Sequence, residues 1–148
     1  MLQSKIELRF ANSTDIPDAS EFVLTAFNDT MMDKECVDTL GSKFTNRLER
    51  YGPQNTLLAF DINNNSTIVG FLDLDTEKST EHKKYIYNIY VLPPYRKQGI
   101  AKNLVNKMMS ERCFQGDELI IRVSSESEKH FWEKMDFTMD HAVLAKKL

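Results

Sequence analysis

The stretch Val91-Leu92-Pro93-Pro94-Tyr95-Arg96-Lys97-Gln98-Gly99-Ile100-Ala101 decides how the chain is read. Residues 84–92, leading into it, are rich in Tyr, Ile and Val and predict a strand, which the two prolines stop because proline has no N–H to give a ladder. Beyond it, Ile100, Leu104, Val105, Met108 and Met109 share one face at helical spacing. The segment is therefore a strand, a turn and a helix that opens at Gly99. The first amides of a helix have no intrahelical acceptor, and their dipoles favour negative charge. Gly99 lets the backbone approach an anion closely, Ala101 stays small, and Arg96, Lys97 and Lys102 supply counter-charge. These are the requirements for gripping a pyrophosphate.

The charge distribution agrees. Residues 83–112 hold seven basic side chains (Lys83, Lys84, Arg96, Lys97, Lys102, Lys107 and Arg112) against Glu111 alone, a net of +6 in a chain whose formal charge is −3. A basic island in an acidic chain points to a local anionic ligand or to a solvated basic helix face. The acidic remainder would repel duplex phosphates, so no nucleic-acid partner is expected.

Working outward, residues 5–11 alternate as a half-buried strand, with Ile6, Leu8 and Phe10 on one side. Asn12-Ser13-Thr14-Asp15 offers caps for a helix carrying Ile16, Ala19, Val23, Ala26 and Phe27. A second helix is predicted over 33–51, ended by Gly52-Pro53. Residues 56–62 and 67–74 flank Asn63-Asn64-Asn65-Ser66 and read as a hairpin. A strand over 118–123, a short helix over 127–135 and a final strand over 142–148 complete the order β-α-α-β-β-β-α-β-α-β. This is an α/β or α+β fold with a mixed sheet, in which the strand–helix–strand from Tyr85 to Val123 is a right-handed parallel crossover.

At 148 residues the chain predicts a single domain over 1–148, large enough to fold on its own core. Hydrophobic residues make up 41% and charged residues 28%, which excludes a disordered tail. No apolar run reaches the ~18–20 residues needed to cross a bilayer, and no signal-peptide profile opens the chain, so a soluble cytoplasmic protein is expected. Cys36 and Cys113 match no metal or redox spacing.

The spacing Arg-x-x-Gly-x-Ala is neither a P-loop nor a dinucleotide fingerprint, and alone it is a weak motif. Its coincidence with the strand, the proline break and the basic island gives it weight. The stretch from Ile89 to Ala101 resembles the acetyl-CoA motif of the GCN5-related N-acetyltransferase (GNAT) family. Phe131-Trp132-Glu133-Lys134-Met135-Asp136-Phe137 is similar to that family's late "FYEKxGF" helix, and the order of elements matches over nearly the whole chain.

The resemblance implies a mixed, mostly antiparallel sheet flanked by helices, with its central parallel strands splayed. It implies acetyl-CoA as cosubstrate, its pantetheine lying in the gap and pairing with the backbone of Ile89 and Val91. The Val91 amide would polarise the thioester carbonyl, and amides of Lys97, Gln98, Gly99, Ile100 and Ala101 would hold the pyrophosphate near Arg96 and Lys102. Ser125 stands where the family often has an Asn touching the cofactor, and Trp132 falls beside the thioester. Family members often dimerise, although nothing in the sequence marks an interface.

Three positions depart from the pattern. The family's carboxylate on the fourth strand is replaced by Tyr87-Asn88, neither a good base near neutral pH. The late-helix Tyr is replaced by Trp132, whose indole cannot deliver a proton. The Gly before the last Phe is Asp136, which tolerates a left-handed backbone better than most residues. Asp73 or Asp75 could take the proton through water, with strand-edge solvation as the plain alternative. Tyr87 is either a substrate contact or sheet packing. Asp29, Asp33 and Glu35, around Met31-Met32, would suit a cationic amine or simply form a solvated acidic loop. His130 reads as a surface histidine or a proton shuttle, and His82 shows no partner.

The expected activity is direct transfer of an acetyl group from acetyl-CoA to an amine of a small molecule, peptide or protein. Positioning alone can supply about 7–11 kcal/mol of the barrier, so the missing acid and base do not exclude it. The alternative is a CoA-binding sensor or partner module with impaired catalysis.

Overall fold

The computed structural model describes residues 4–30, 33–76, 78–122, 126–140 and 143–147. Its strands are β1 (Ile6–Phe10), β2 (Thr56–Asp61), β3 (Thr67–Leu74), β4 (Lys83–Val91), β5 (Glu118–Arg122), β6 (Thr138–Asp140) and β7 (Val143–Lys147), and its helices α1 (Ile16–Thr30), α2 (Lys34–Tyr51), α3 (Ile100–Arg112) and α4 (Glu126–Glu133). One seven-stranded sheet runs β1-β2-β3-β4-β5-β7-β6, antiparallel at every pair except β4 and β5.

The local signals act as expected. Asn12 accepts from the Thr14 amide while Asp15 accepts from the Asn12 amide, a reciprocal cap that starts the first helical segment. Asp33 caps α2 through the Glu35 amide, and Gly52 ends it at φ +86°. The β2–β3 turn places Asn65 and Ser66 at φ 54° and 52°.

Two apolar layers cover the sheet. Leu57, Ala59, Leu72 and Leu74 pack under Ile100, Leu104, Val105 and Met108 of α3. On the other face, Leu58, Phe60, Phe71 and Tyr90 pack under Phe22, Val23, Phe44 and Leu48 of α1 and α2. Both faces of β2 are thus covered, which is why it reads as an unbroken apolar run and is buried at every position. Each fully buried Leu or Met contributes about 1.5–3 kcal/mol.

The sequence pattern did not predict β6. It is three residues long and exists only as the antiparallel partner of β7. The late helix runs Glu126–Glu133, one residue earlier at its start and two shorter at its end than expected. It ends in a turn at Asp136, whose φ of +67° is the left-handed conformation foreseen for the family's Gly position.

The central parallel pair is short. β4 and β5 pair only at Lys83↔Glu118, Lys84↔Leu119 and Tyr85↔Ile120. Beyond Tyr85, β4 continues to Val91 against β3 alone, while Ile121 and Arg122 of β5 pair with β7. The expected splay is present. A register shift against β3 accompanies it: Asp73 faces Asn88 and Leu74 faces Ile86, leaving Tyr87 as the extra residue of a bulge, a feature that bends and twists its strand. No helix among the described residues is long and apolar enough to cross a membrane.

Candidate functional site

The turn between β4 and α3 is fixed at two points. The Tyr95 hydroxyl donates to Asp61 Oδ2 at 2.8 Å, tying the Pro93–Tyr95 turn to the end of β2. Burial works against the Asp61 carboxylate, yet hydrogen bonds from Tyr95, the Lys5 amide and the Asn63 amide hold it below the usual range. Arg96 Nε donates to the Val91 carbonyl at 2.8 Å.

Between these anchors and α3 the chain passes through Lys97 at φ +64° and Gly99 at φ +83°. Gly99 is the N-cap of α3 and carries no side-chain cap. Among the described residues, none of the amides of residues 97–102 meets an acceptor, and the first bond of the helix runs from the Asn103 amide to the Gly99 carbonyl. A Cβ on Gly99 would meet nothing within 4 Å, so the space over these donors is open. Ile100 turns its side chain into the core and offers only its amide, whereas Lys97 and Lys102 are exposed. Backbone donors, an uncapped helix start and flanking cations together make an anion cradle.

The gap follows from the ladder. The Leu92 amide donates to Val69 O, which in an antiparallel pair makes Tyr90 and Asn88 the next residues bonded to β3. Ile89 and Val91 lie between them, so their amides point away from β3, toward the side that β5 has vacated. The Val91 carbonyl is taken by Arg96; its amide meets no acceptor among the described residues.

On the α2 face of the sheet two cavities adjoin at Asp75 and Tyr87. One, of about 430 Å³, is lined by Lys43, Asn46, Arg47, Arg50 and Tyr51 as well. The other, of about 370 Å³, lies where β4 and β5 part, between Tyr85, Ile86, Ile120 and Arg122. Arg47 is the fixed element of this wall. Its Nη2 donates to Asp73 Oδ2 at 2.7 Å, and its guanidinium lies 4.2 Å over the Tyr87 ring.

Several expected site residues are placed differently from the sequence reading. Asp73 is buried behind Arg47, with side-chain exposures of 3% and 11%, and does not face open space. Burial pushes its carboxyl up to about 6, against the pull of the Arg47 guanidinium. Asp73 Oδ1 and Asn88 Nδ2, on paired residues, are buried without a well-formed hydrogen bond. The Arg96 guanidinium turns to the α1 side, 3.4 Å from Asp29 and 5.3 Å from the Tyr90 ring, rather than over the cradle. Trp132 is core: 3% exposed, its ring is held edge-on by Phe131 and Phe137 at 5.0 and 4.9 Å. Asp29 accepts from the Tyr90 hydroxyl at 2.8 Å and Asp33 caps α2, so neither carboxylate is a ready partner for a cationic amine. His82 has a partner after all, with Nδ1 3.1 Å from Asp117 Oδ1. Burial pushes the Cys113 thiol up, as suits an inert apolar residue. Ser125, Met31 and Met32 lie outside the described residues.

Two features escaped the sequence reading. The Tyr95–Asp61 latch joins residues 34 positions apart, and no local pattern signals it. The polar stripe Lys43, Asn46, Arg47, Arg50 was detectable, because its spacing puts all four on one helical face.

The profile of the acetyltransferase (GNAT) family matches residues 21–137. The chain belongs to this family. No curated protein sequence matches it. Among solved structures, this GNAT protein is similar to the PaiA N-acetyltransferase of Thermoplasma acidophilum in complex with coenzyme A, with 20% identity, TM-score 0.71, and 97% and 99% of the two chains covered. It is also similar to a GNAT acetyltransferase of Brucella melitensis in complex with acetyl-CoA, at 11% identity and TM-score 0.75 over 99% of this chain and 90% of that one. The diaminobutyrate acetyltransferase EctA of Paenibacillus lautus, in complex with L-2,4-diaminobutyric acid and coenzyme A, matches at 17% identity and TM-score 0.66 over 92% and 80%. At these identities the likeness concerns the fold.

Proposed function

We propose that this GNAT protein transfers the acetyl group of acetyl-CoA directly to an amine, both substrates being bound at once. The observation that carries this reading is the row of unpaired amides at residues 97–102, set next to a gap into which Ile89 and Val91 turn theirs. That arrangement fits a diphosphate at the helix start and an extended amide chain running along β4. Coenzyme A in the PaiA structure and acetyl-CoA in the Brucella melitensis structure support the choice of ligand.

The chain's own part in the reaction is positioning and polarisation. The Val91 N–H donates to the thioester carbonyl oxygen and binds it more tightly as negative charge develops. The amine enters from the α2 side, where the cavities meet at Tyr87 and Asp75. Asp75, whose Oδ1 accepts from the Lys78 amide, is the carboxylate lining both. It takes the amine's proton through water as the new C–N bond forms, the C–S bond breaks and CoA leaves as a thiolate that solvent protonates. Asp73, shut behind Arg47, holds that guanidinium in place. Tyr87 contributes its ring to the wall, stacked on Arg47. EctA, crystallised with diaminobutyric acid, supports an amine as acceptor.

Calorimetric titration with CoA and thiol release from acetyl-CoA across a panel of amines test this function. Micromolar CoA binding with amine-dependent thiol release is expected; binding without turnover on any amine would favour the non-catalytic module instead.

A further inference from the structure

We propose that the acceptor is a small amine that also carries a carboxylate or phosphate, and that Lys43, Arg47 and Arg50 of α2 hold this anion. The inference rests on the acetyl-transfer reading above and specifies its second substrate. Lys43, Arg47 and Arg50 stand at i, i+4 and i+7 on one face of α2 and line the cavity of about 430 Å³, within the ~300–1,000 Å³ typical of small-ligand sites. Arg122 of β5 and Lys78 line the adjoining cavity at the gap. The linings of the two cavities thus present five cations against one carboxylate, Asp75, while the charge of Arg47 is met from behind by the buried Asp73. In a chain of formal charge −3, such a concentration of positive charge in a concave site attracts an anion.

This positive wall is not the diphosphate cradle. The cradle begins α3, which packs on one face of the sheet, whereas the stripe lies on α2, which packs on the other. Arg47 is also preorganised: Asp73 and the Tyr87 ring fix its guanidinium, so little side-chain freedom is lost when a carboxylate or phosphate accepts its remaining N–H groups. Of the acidic residues that would have favoured a polycation, Asp29 and Asp33 are spent on Tyr90, Arg96 and the α2 cap, and Glu35, exposed in the first turn of α2, lines neither cavity.

The test is calorimetry on the full chain saturated with CoA, using pairs of probes that differ only in the anion: O-phosphoethanolamine with ethanolamine, and β-alanine with propylamine. Putrescine and a short acidic peptide serve as competitors. The anionic member of at least one pair should bind about tenfold tighter or more, the factor of one charge-assisted hydrogen bond, and the two pairs separate phosphate from carboxylate. Lys43→Glu and Arg50→Glu should each erase that preference while CoA affinity stays within about twofold. Lys34→Glu, the same charge change on α2 outside the stripe, should leave it intact. Equal binding within both pairs, tightest binding of putrescine, or tightest binding of the peptide overturns the proposal while acetyl transfer stands. Failure of the wild-type chain to bind CoA overturns both.

Discussion

Substituting Gly99 separates what the fold needs from what the ligand needs. The residue sits at φ +83° and ψ 10°, a conformation costing a non-glycine residue about 1 kcal/mol, somewhat less for Asn and Asp. No protein atom lies within 4 Å of the Cβ that a substitution would add, so this backbone cost is the whole folding penalty. Gly99→Asn and Gly99→Asp should therefore both fold, with melting temperatures lowered by about 2–4 °C. Their affinities for CoA should diverge. At ~5 Å and an effective dielectric of ~20, a carboxylate repels each phosphate charge by about 3 kcal/mol; the site is exposed, and halving that for solvent leaves ~10–150-fold weaker binding. Gly99→Asn, of equal bulk and no charge, should lose much less. Calorimetry with CoA measures both. Unchanged affinity in Gly99→Asp, or equal losses in the two variants, would show that no diphosphate lies over these amides.

Other predictions concern the opposite face and the core. Burial favours protonated Asp73, so its contribution to stability is complete below the unfolded value of 3.8 and is lost as pH rises through about 6. The difference in unfolding free energy between wild type and Asp73→Asn should accordingly shift against the wild type by about 3 kcal/mol between pH 3.5 and 7, measured by urea titration. Trp132→Ala should cost about 3–5 kcal/mol by the same assay, as expected of a ring enclosed between Phe131 and Phe137. Asp75→Asn should lower kcat by about a hundredfold with KM for acetyl-CoA unchanged. Tyr87→Phe keeps the ring over Arg47 and should retain kcat within about twofold; a large loss would mean that its hydroxyl moves a proton.

The elements were legible because their determinants are local. Asn12, Asp33 and Gly52 mark helix ends by their own chemistry, and the apolar spacing of α3 survives folding unchanged. The uncapped turn into α3 was legible for the same reason: a proline break, a glycine and a helix start all lie within a few residues. What the sequence concealed depends on contacts between distant segments. The three residues of β6 have no pattern of their own, and Arg96 could not be assigned a direction until the fold brought Asp29 and Tyr90 beside it. Trp132 was placed beside the cofactor by its resemblance to the family's late-helix Tyr position, but its size and apolarity assign it to the core. Asp73 looked like an edge carboxylate because alternation along β3 says nothing of the helix above it, from which Arg47 descends.

The function proposed above would have the sheet divide the labour of recognition between two kinds of atoms. On the proposed function, the α3 side would grip its ligand through main-chain donors, which almost any side-chain replacement leaves in place as long as the left-handed turn is kept. The α2 side would meet its ligand through the tips of residues on a single helix, of which Lys43, Asn46 and Arg50 are exchangeable without disturbing a strand, whereas Arg47 is tied to Asp73 of β3. A lineage built this way could change its acceptor by a few substitutions along α2 while its acetyl supply stays constant, so divergence among relatives should concentrate at positions 43, 46 and 50 and spare Arg47 and the turn at 97–99.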